Sequence, residues 1–274
     1  MSDSRTLPDA TELLRRLRAG EVSAAALVEE HLARLAGTHD RINAATEVLA
    51  DEAREQAAAP RPGPLSGLPV SVKEVFAMRG REVTVGSERM PPTLCTVDAA
   101  VVARLRAAGA VIIARGNVPE LSMAGETDNP RFGLTRNPLD PERTAGGSSG
   151  GDAALVASGC VAAGIGSDIL GSIRIPSAFC GLVGFKPASG AVDKTGGWPA
   201  FAGAADDWLA AGPIARSVRD VRQIYDVIAR RPLPAAGNPG RARLFFPDDF
   251  PMRFLDPVIG EAVEAGRRGL LAAG

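Results

Sequence analysis

The chain is 274 residues long, carries 31 Lys and Arg against 32 Asp and Glu for a formal net charge of -1, and is 45% hydrophobic. That length buries a substantial core without disulfide or metal staples, the apolar content excludes wholesale disorder, and the balanced charge offers no field to attract nucleic acid or an anionic membrane surface. With 31 Gly and 21 Pro, both above ordinary usage, the fold needs many tight turns.

The first twenty residues hold no apolar run of secretory length, which is how a cytoplasmic protein begins. Asp9 and Glu12 have capping-box spacing, Leu13, Leu14 and Leu17 follow, and Gly20 ends a first helix. Ser23 can cap a second helix over residues 24–36, with Leu27, Val28, Leu32 and Leu35 on its apolar side and Gly37 as its stop. The two form an amphipathic pair. His31, inside the second helix, and His39, just beyond its stop, are the only histidines, and both read as surface or helix-end residues.

An Ala-rich helix is predicted over residues 50–59. The Pro- and Gly-rich cluster at 60–67 then breaks the chain, and residues 68–72 alternate as a strand that ends at Lys73. A helix over 99–108, a buried strand over 110–114 and an extended loop over 135–151 follow. Beyond Arg230 the pattern predicts a linker, a strand at 242–246 and a helix from about Pro257 to the end. Alternating helix and strand favour an α/β sheet, with neither an internal repeat nor a linker that clearly divides the chain.

Several chemistries can be set aside. Residues 153–167, the longest uncharged and mostly apolar stretch, fall short of the roughly 20 residues that cross a bilayer, so no membrane span is expected. Cys95, Cys160 and Cys180 form no C-x-x-C pair and read as buried thiols. No His and carboxylate spacing suggests a metal site. The Gly-Gly-Ser-Ser-Gly-Gly run at 146–151 lacks the lysine of a phosphate loop, and Gly164-Ile165-Gly166 places Ile169 where a dinucleotide fingerprint needs its third glycine. Glycines on both sides of Ser148 and Ser149 would let the backbone approach a reacting group closely. Lysine is scarce, only Lys73, Lys186 and Lys194, so each one draws notice.

The run from 145 to 184, with GGSSGG, a small-residue helix and then G-S-D-I-L-G-S-I-R-I-P-S-A-F-C-G, resembles the amidase signature family. Upstream, Leu68-Pro69-Val70-Ser71-Val72-Lys73-Glu74 is similar to that family's lysine-bearing strand, and Gly116-Asn117-Val118-Pro119-Glu120 through Phe132-Gly133 follows its pattern. The resemblance covers most of residues 5–230. It implies an α/β fold with a central mixed β-sheet flanked by helices, as a single domain over 1–274. That domain would have a helical region at about 8–60, a signature core at about 65–230, and a C-terminal part that is incomplete relative to the family. It further implies a Ser-cisSer-Lys triad that hydrolyses amides through an acyl-enzyme, in which Lys73 is the base, Ser148 the bridging serine in a cis peptide, and Ser172, 24 residues further on, the nucleophile.

Elementary chemistry supports such a set. A serine hydroxyl attacks only when a neighbour takes its proton, and a lysine can do so only when neutral. Lys73 must therefore be desolvated. Ser148 can relay because a hydroxyl both donates and accepts. Acyl transfer also needs donors aimed at an oxyanion, for which the amides of the turn Ile169-Leu170-Gly171-Ser172 are the candidates. Leu170 departs from the family's commoner pair of glycines and would narrow the pocket. Asp168 and Arg174 flank the turn and are expected to pair structurally. Ser149 either assists by hydrogen bonding or is a bystander, and Lys186 reads as structural.

By resemblance, Ser122 to Gly125 and the loop after Pro187, with Trp198 and Phe201, line the acyl or leaving-group pocket, although Trp198 and Trp208 suit a core equally. The expected partner is a small-molecule amide, with no cofactor, metal, nucleic acid or membrane, and homodimer formation is left open. Two alternatives stand. One is a glutaminase-type subunit of an amidotransferase, against which residues 188–193 read Ala-Ser-Gly-Ala-Val-Asp rather than the usual T-Y-G-R-V-S. The other is a catalytically incompetent fragment.

Overall fold

The computed structural model describes residues 7–234 and 256–272. Asp9 caps α1 (Ala10–Arg18) by accepting from the Glu12 N–H at 3.0 Å, and Ser23 caps α2 (Ala24–Ile42) by accepting from the Ala26 N–H at 3.1 Å. Helix α2 does not stop at Gly37. It runs to Ile42 and ends where Asn43 turns left-handed at φ 50°. An interior glycine costs about 1 kcal/mol, which burial of Leu35 and Ile42 on either side of Gly37 offsets. His39 thus lies inside the helix. His31 is not at the surface either: it is 2% exposed, its Nδ1 lies 2.8 Å from the Leu27 carbonyl, and burial lowers its pKa to about 4.

A strand that the sequence pattern did not announce, β1 (Ala45–Val48), precedes α3 (Ala50–Ala58) and β2 (Pro69–Lys73). A small ribbon, β3 (Glu82–Val83) and β4 (Thr93–Leu94), leads to α4 (Ala100–Ala107), β5 (Val111–Gly116) and a 3-10 turn at Glu120–Ser122. After the long loop come α5 (Gly150–Ala157), β6 (Ala163–Asp168), α6 (Arg174–Phe179), β7 (Val183–Gly184), α7 (Ala204–Trp208), β8 (Ala210–Ala215) and α8 (Val218–Ile228).

Six strands form one mixed sheet in the order β1-β5-β2-β6-β8-β7, with β2 parallel to both β5 and β6 and the remaining pairs antiparallel. This is the α/β sheet flanked by helices that the sequence predicts. All five residues of β2 are buried, Ser71 and Lys73 included, so its polar positions face an interior rather than solvent. One apolar cluster runs from Val28, Leu32 and Leu35 of α2 through α5 to Val111 and Ile113 of β5 and Ile214 of β8. Every residue of α5 is buried.

The chain divides into two compact units, Met1–Pro232 and Leu233–Gly274. In the second, the described residues form α9 (Pro257–Ala272), where a helix was predicted. The strand expected at 242–246 lies outside the described residues. Among the described residues no helix is long and apolar enough to cross a membrane.

Candidate active site

Lys73 ends the central strand β2 with none of its surface exposed. Loss of hydration lowers its pKa from 10.5 to about 7, against the opposing pull of Asp152, Asp168 and Glu74. Its Nζ lies 2.7 Å from Ser148 Oγ and 3.0 Å from Ser167 Oγ. Ser167, on β6, is a neighbour that sequence reasoning missed. The available signal was its place beside Asp168 in the G-S-D run, but only the parallel pairing of β2 with β6 brings it to the lysine.

Ser148 follows a cis peptide bond, Gly147–Ser148, as the family resemblance implies. Its hydroxyl also meets Ser122 Oγ at 2.9 Å. Ser122, expected on the pocket wall, is there and is in addition a direct partner of Ser148. Leu121 and Ser122 have φ of 57° and 59°, a costly pair of left-handed non-glycine residues. The Leu121 N–H is held by the Val85 carbonyl at 2.7 Å.

The glycines after the serine pair do not open the loop toward a reacting group. A Cβ on Gly150 would overlap the Thr127 side chain, and one on Gly151 the Asn117 backbone. They let α5 press against its neighbours, and that packing fixes where Ser148 stands.

At the end of β6, Asp168 is fully buried and organises the next turn. It accepts from the Gly171 N–H at 2.7 Å and the Ile173 N–H at 3.0 Å, and receives Arg174 Nε and Nη2, each at 3.0 Å. Burial alone would raise its pKa, but the bonds from Arg174, Ile173 and Gly171 outweigh this and hold it below the usual value. The expected structural pair is therefore present. It also alters one expectation, because the Gly171 amide is engaged by Asp168 rather than free for the pocket. Among the described residues the N–H groups of Ile169, Leu170 and Ser172 meet no acceptor.

Leu170 occupies its place without a positive φ, whereas Gly171 has φ 127°, so the turn requires glycine only at the second position. The Leu170 side chain is 76% exposed. Ser172 is half-buried, and its carbonyl accepts from the Ser149 N–H at 3.1 Å, which ties the turn to the serine loop. Lys73 and Ser148 are in contact, whereas the Ser172 hydroxyl has no hydrogen bond among the described residues.

All four serines, Ser122, Ser148, Ser167 and Ser172, reach one cavity of about 240 Å³. Most of its wall is apolar and includes Leu170, Trp198 and Phe201, so Trp198 is a pocket residue. Trp208 belongs to neither pocket wall nor core, being 57% exposed. Lys194 reaches the wall, with its Nζ 2.8 Å from Asp206 Oδ1. Among the described residues no cluster of His, Cys, Asp or Glu could hold a metal ion.

A mixed sheet with these flanking helices defines an amidase signature fold, as the comparison with solved structures shows. A crystal structure of an amidase superposes with a TM-score of 0.78 at 39% identity, covering 84% of this chain and 54% of that one. The 6-aminohexanoate cyclic dimer hydrolase gives 0.83 at 30% identity, covering 97% and 59%. The Amidase family profile matches residues 26–237, and the chain belongs to that family. A glutamyl-tRNA(Gln) amidotransferase subunit from a Synechococcus species is 41% identical over 223 residues, covering 78% of this chain and 45% of the relative. The chain spans about half the length of the curated relatives it matches.

Proposed function

We propose that the protein hydrolyses a linear carboxylic amide through an acyl-enzyme, with Ser172 as nucleophile, Ser148 as proton relay and Lys73 as general base. The observation that carries this reading is the 2.7 Å contact of Lys73 Nζ with Ser148 Oγ in a fully buried setting that brings the amine to about 7. A neutral amine accepts the Ser148 proton, and Ser148 Oγ, which accepts from Ser122 and has a second lone pair, takes the Ser172 proton once that hydroxyl turns toward it. Ser172 Oγ attacks the carbonyl carbon, and its proton moves to Ser148 as the Ser148 proton moves to Lys73. The amides of Ile169, Leu170 and Ser172, which meet no acceptor among the described residues, are the donors available to the oxyanion. On collapse the carbon–nitrogen bond breaks, the leaving nitrogen takes the proton back through Ser148, and water then repeats the route to release the acid.

The test is a pair of folded variants. Ser172→Ala abolishes covalent labelling by a fluorophosphonate probe, and Lys73→Ala removes most turnover of simple amides. Unchanged labelling or near-wild-type turnover would reject the corresponding assignment.

A second reading, release of ammonia from glutamine for a partner, is favoured by the name of the curated relatives. The Ala-Ser-Gly-Ala-Val-Asp stretch at 188–193 counts against it, as does Lys194, the cation at the cavity, being paired with Asp206. Glutaminase activity that exceeds turnover of uncharged amides would favour the amidotransferase role.

A further inference from the structure

We infer that Asp152 is a positioning residue for the reaction proposed above, its buried carboxylate serving as counter-charge to the ammonium that Lys73 becomes during acyl transfer. The inference rests on Lys73 being the base. Asp152 lies in the first turn of α5, has no exposed surface, and accepts from Ser71 Oγ at 2.6 Å. Ser71 and Lys73 are two residues apart on β2 and so project from the same face.

The register locates the carboxylate more closely. Gly164 of β6 is paired with Ser71, and Gly116 of β5 is paired with Lys73. A Cβ on Gly164 would stand 2.9 Å from Asp152 Cβ, and one on Gly116 would overlap Asp152 Oδ2. Asp152 therefore fills a notch made by two missing side chains, with Oδ2 over the residue directly opposite Lys73, one strand spacing of about 4.8 Å away.

That oxygen has no hydrogen-bond partner among the described residues. An unpartnered buried carboxylate oxygen is costly, and an apolar side chain in the same notch would avoid the cost. Lys73 accounts for the charge. The other ionisable groups nearby are Glu74, just past the end of β2, Arg115 on β5 and Asp168 on β6. Glu74 is committed to Thr84, Val85 and Arg115, and Asp168 to Arg174. Among the described residues Lys73 is the cation that acts on Asp152, and of the three carboxylates that favour the ammonium Asp152 acts most strongly. Burial raises the Asp152 pKa to about 7, while the Ser71 bond and the Lys73 charge oppose that rise. Its place in the first turn of a helix also favours the ionised form. The logic is that of any buried base that becomes a cation at the moment of reaction: a fixed anion nearby stabilises it.

The experiment uses the full chain with [ε-13C]lysine. Three lysines give three resonances, assigned by Lys186→Arg and Lys194→Arg. In Asp152→Asn the Lys73 midpoint falls by about one pH unit, the acid limb of kcat moves down with it, the plateau kcat drops at least about tenfold, and KM for a small amide stays put. A folded Asp152→Asn protein with unmoved Lys73 midpoint and acid limb overturns the inference. Should Asp152→Asn fail to fold, Ser71→Ala decides. Loss of its donated hydrogen bond raises the Asp152 pKa, so less of the carboxylate is ionised and the Lys73 midpoint falls by a smaller amount; an unmoved midpoint there overturns the inference too. Near-wild-type turnover in Lys73→Ala would instead sink the base assignment, whatever the Asp152→Asn titration shows.

Discussion

Lys73 Nζ meets Ser148 Oγ at 2.7 Å at the end of a strand whose five residues are all buried. The amine is therefore held to its partner by the sheet itself, and its low proton affinity follows from the same burial.

The first prediction concerns pH. Because a lysine can serve as a base only when neutral, the proposed role of Lys73 requires turnover of an uncharged amide to rise with pH through a midpoint near 7. Below it kcat/KM should fall about tenfold per pH unit, with a plateau above. A flat profile between about pH 5 and 9 would contradict a base whose pKa lies in that range.

The turn after β6 gives a second. Arg174→Ala removes both guanidinium bonds to Asp168 and leaves the buried carboxylate with backbone donors alone. The turn should loosen, with fluorophosphonate labelling slowed at least about tenfold and stability reduced by about 1 to 3 kcal/mol. Labelling at the wild-type rate would mean that the pair does not set the turn.

Gly171 and its neighbour should respond in opposite ways. Gly171→Ala places a side chain at φ 127°, with its Cβ 2.6 Å from Ile175 Cδ1, and should cost about 1 to 3 kcal/mol in denaturant melts. Leu170→Ala, at an exposed position, should change stability by less than about 0.5 kcal/mol. Its effect should appear instead as a lower KM for bulky amides, since Leu170 lines the cavity. Equal destabilisation by the two would show that the turn's geometry is not what selects glycine.

His31 supplies a stability prediction. Its folded pKa, about 4, lies below the ordinary 6.5, so the unfolded chain binds a proton in that interval and the native state does not. Stability should therefore fall as pH drops from about 6.5 toward 4, by about 3 kcal/mol at the lower end. His31→Gln should flatten that part of the curve, and an identical acid slope in the mutant would remove His31 from the account.

Much of the fold and site is legible in the order of residue types alone. Asp9 and Ser23 cap their helices because a cap is a local contact, and Lys73 ends a strand because Pro, Gly and alternating residues punctuate the chain there. The serine loop, the lysine strand and the turn before Ser172 stand out as a pattern of residue types in order. What escapes depends on distant partners. Gly37 reads as a stop until burial of Leu35 and Ile42 overrides it, and His31 reads as exposed until its helix meets the sheet. Ser122 and Ser167 reach Ser148 and Lys73 only through a left-handed turn and a parallel strand pairing. Asp152 looks like an ordinary first-turn acid. Only the register, which sets Gly116 and Gly164 opposite Lys73 and Ser71, shows what space it fills.

The parallel pairing of β2 with β6 has a practical consequence. The serine loop and the turn at Ser172 belong to one continuous stretch of chain, but the amine of Lys73 reaches them only when a strand from far upstream lies between two others. On the proposed mechanism, a count of probe-reactive sites during renaturation would be a count of molecules with the sheet's middle correctly interleaved. A chain that has collapsed with that strand left at an edge would carry every serine and still be silent to the probe.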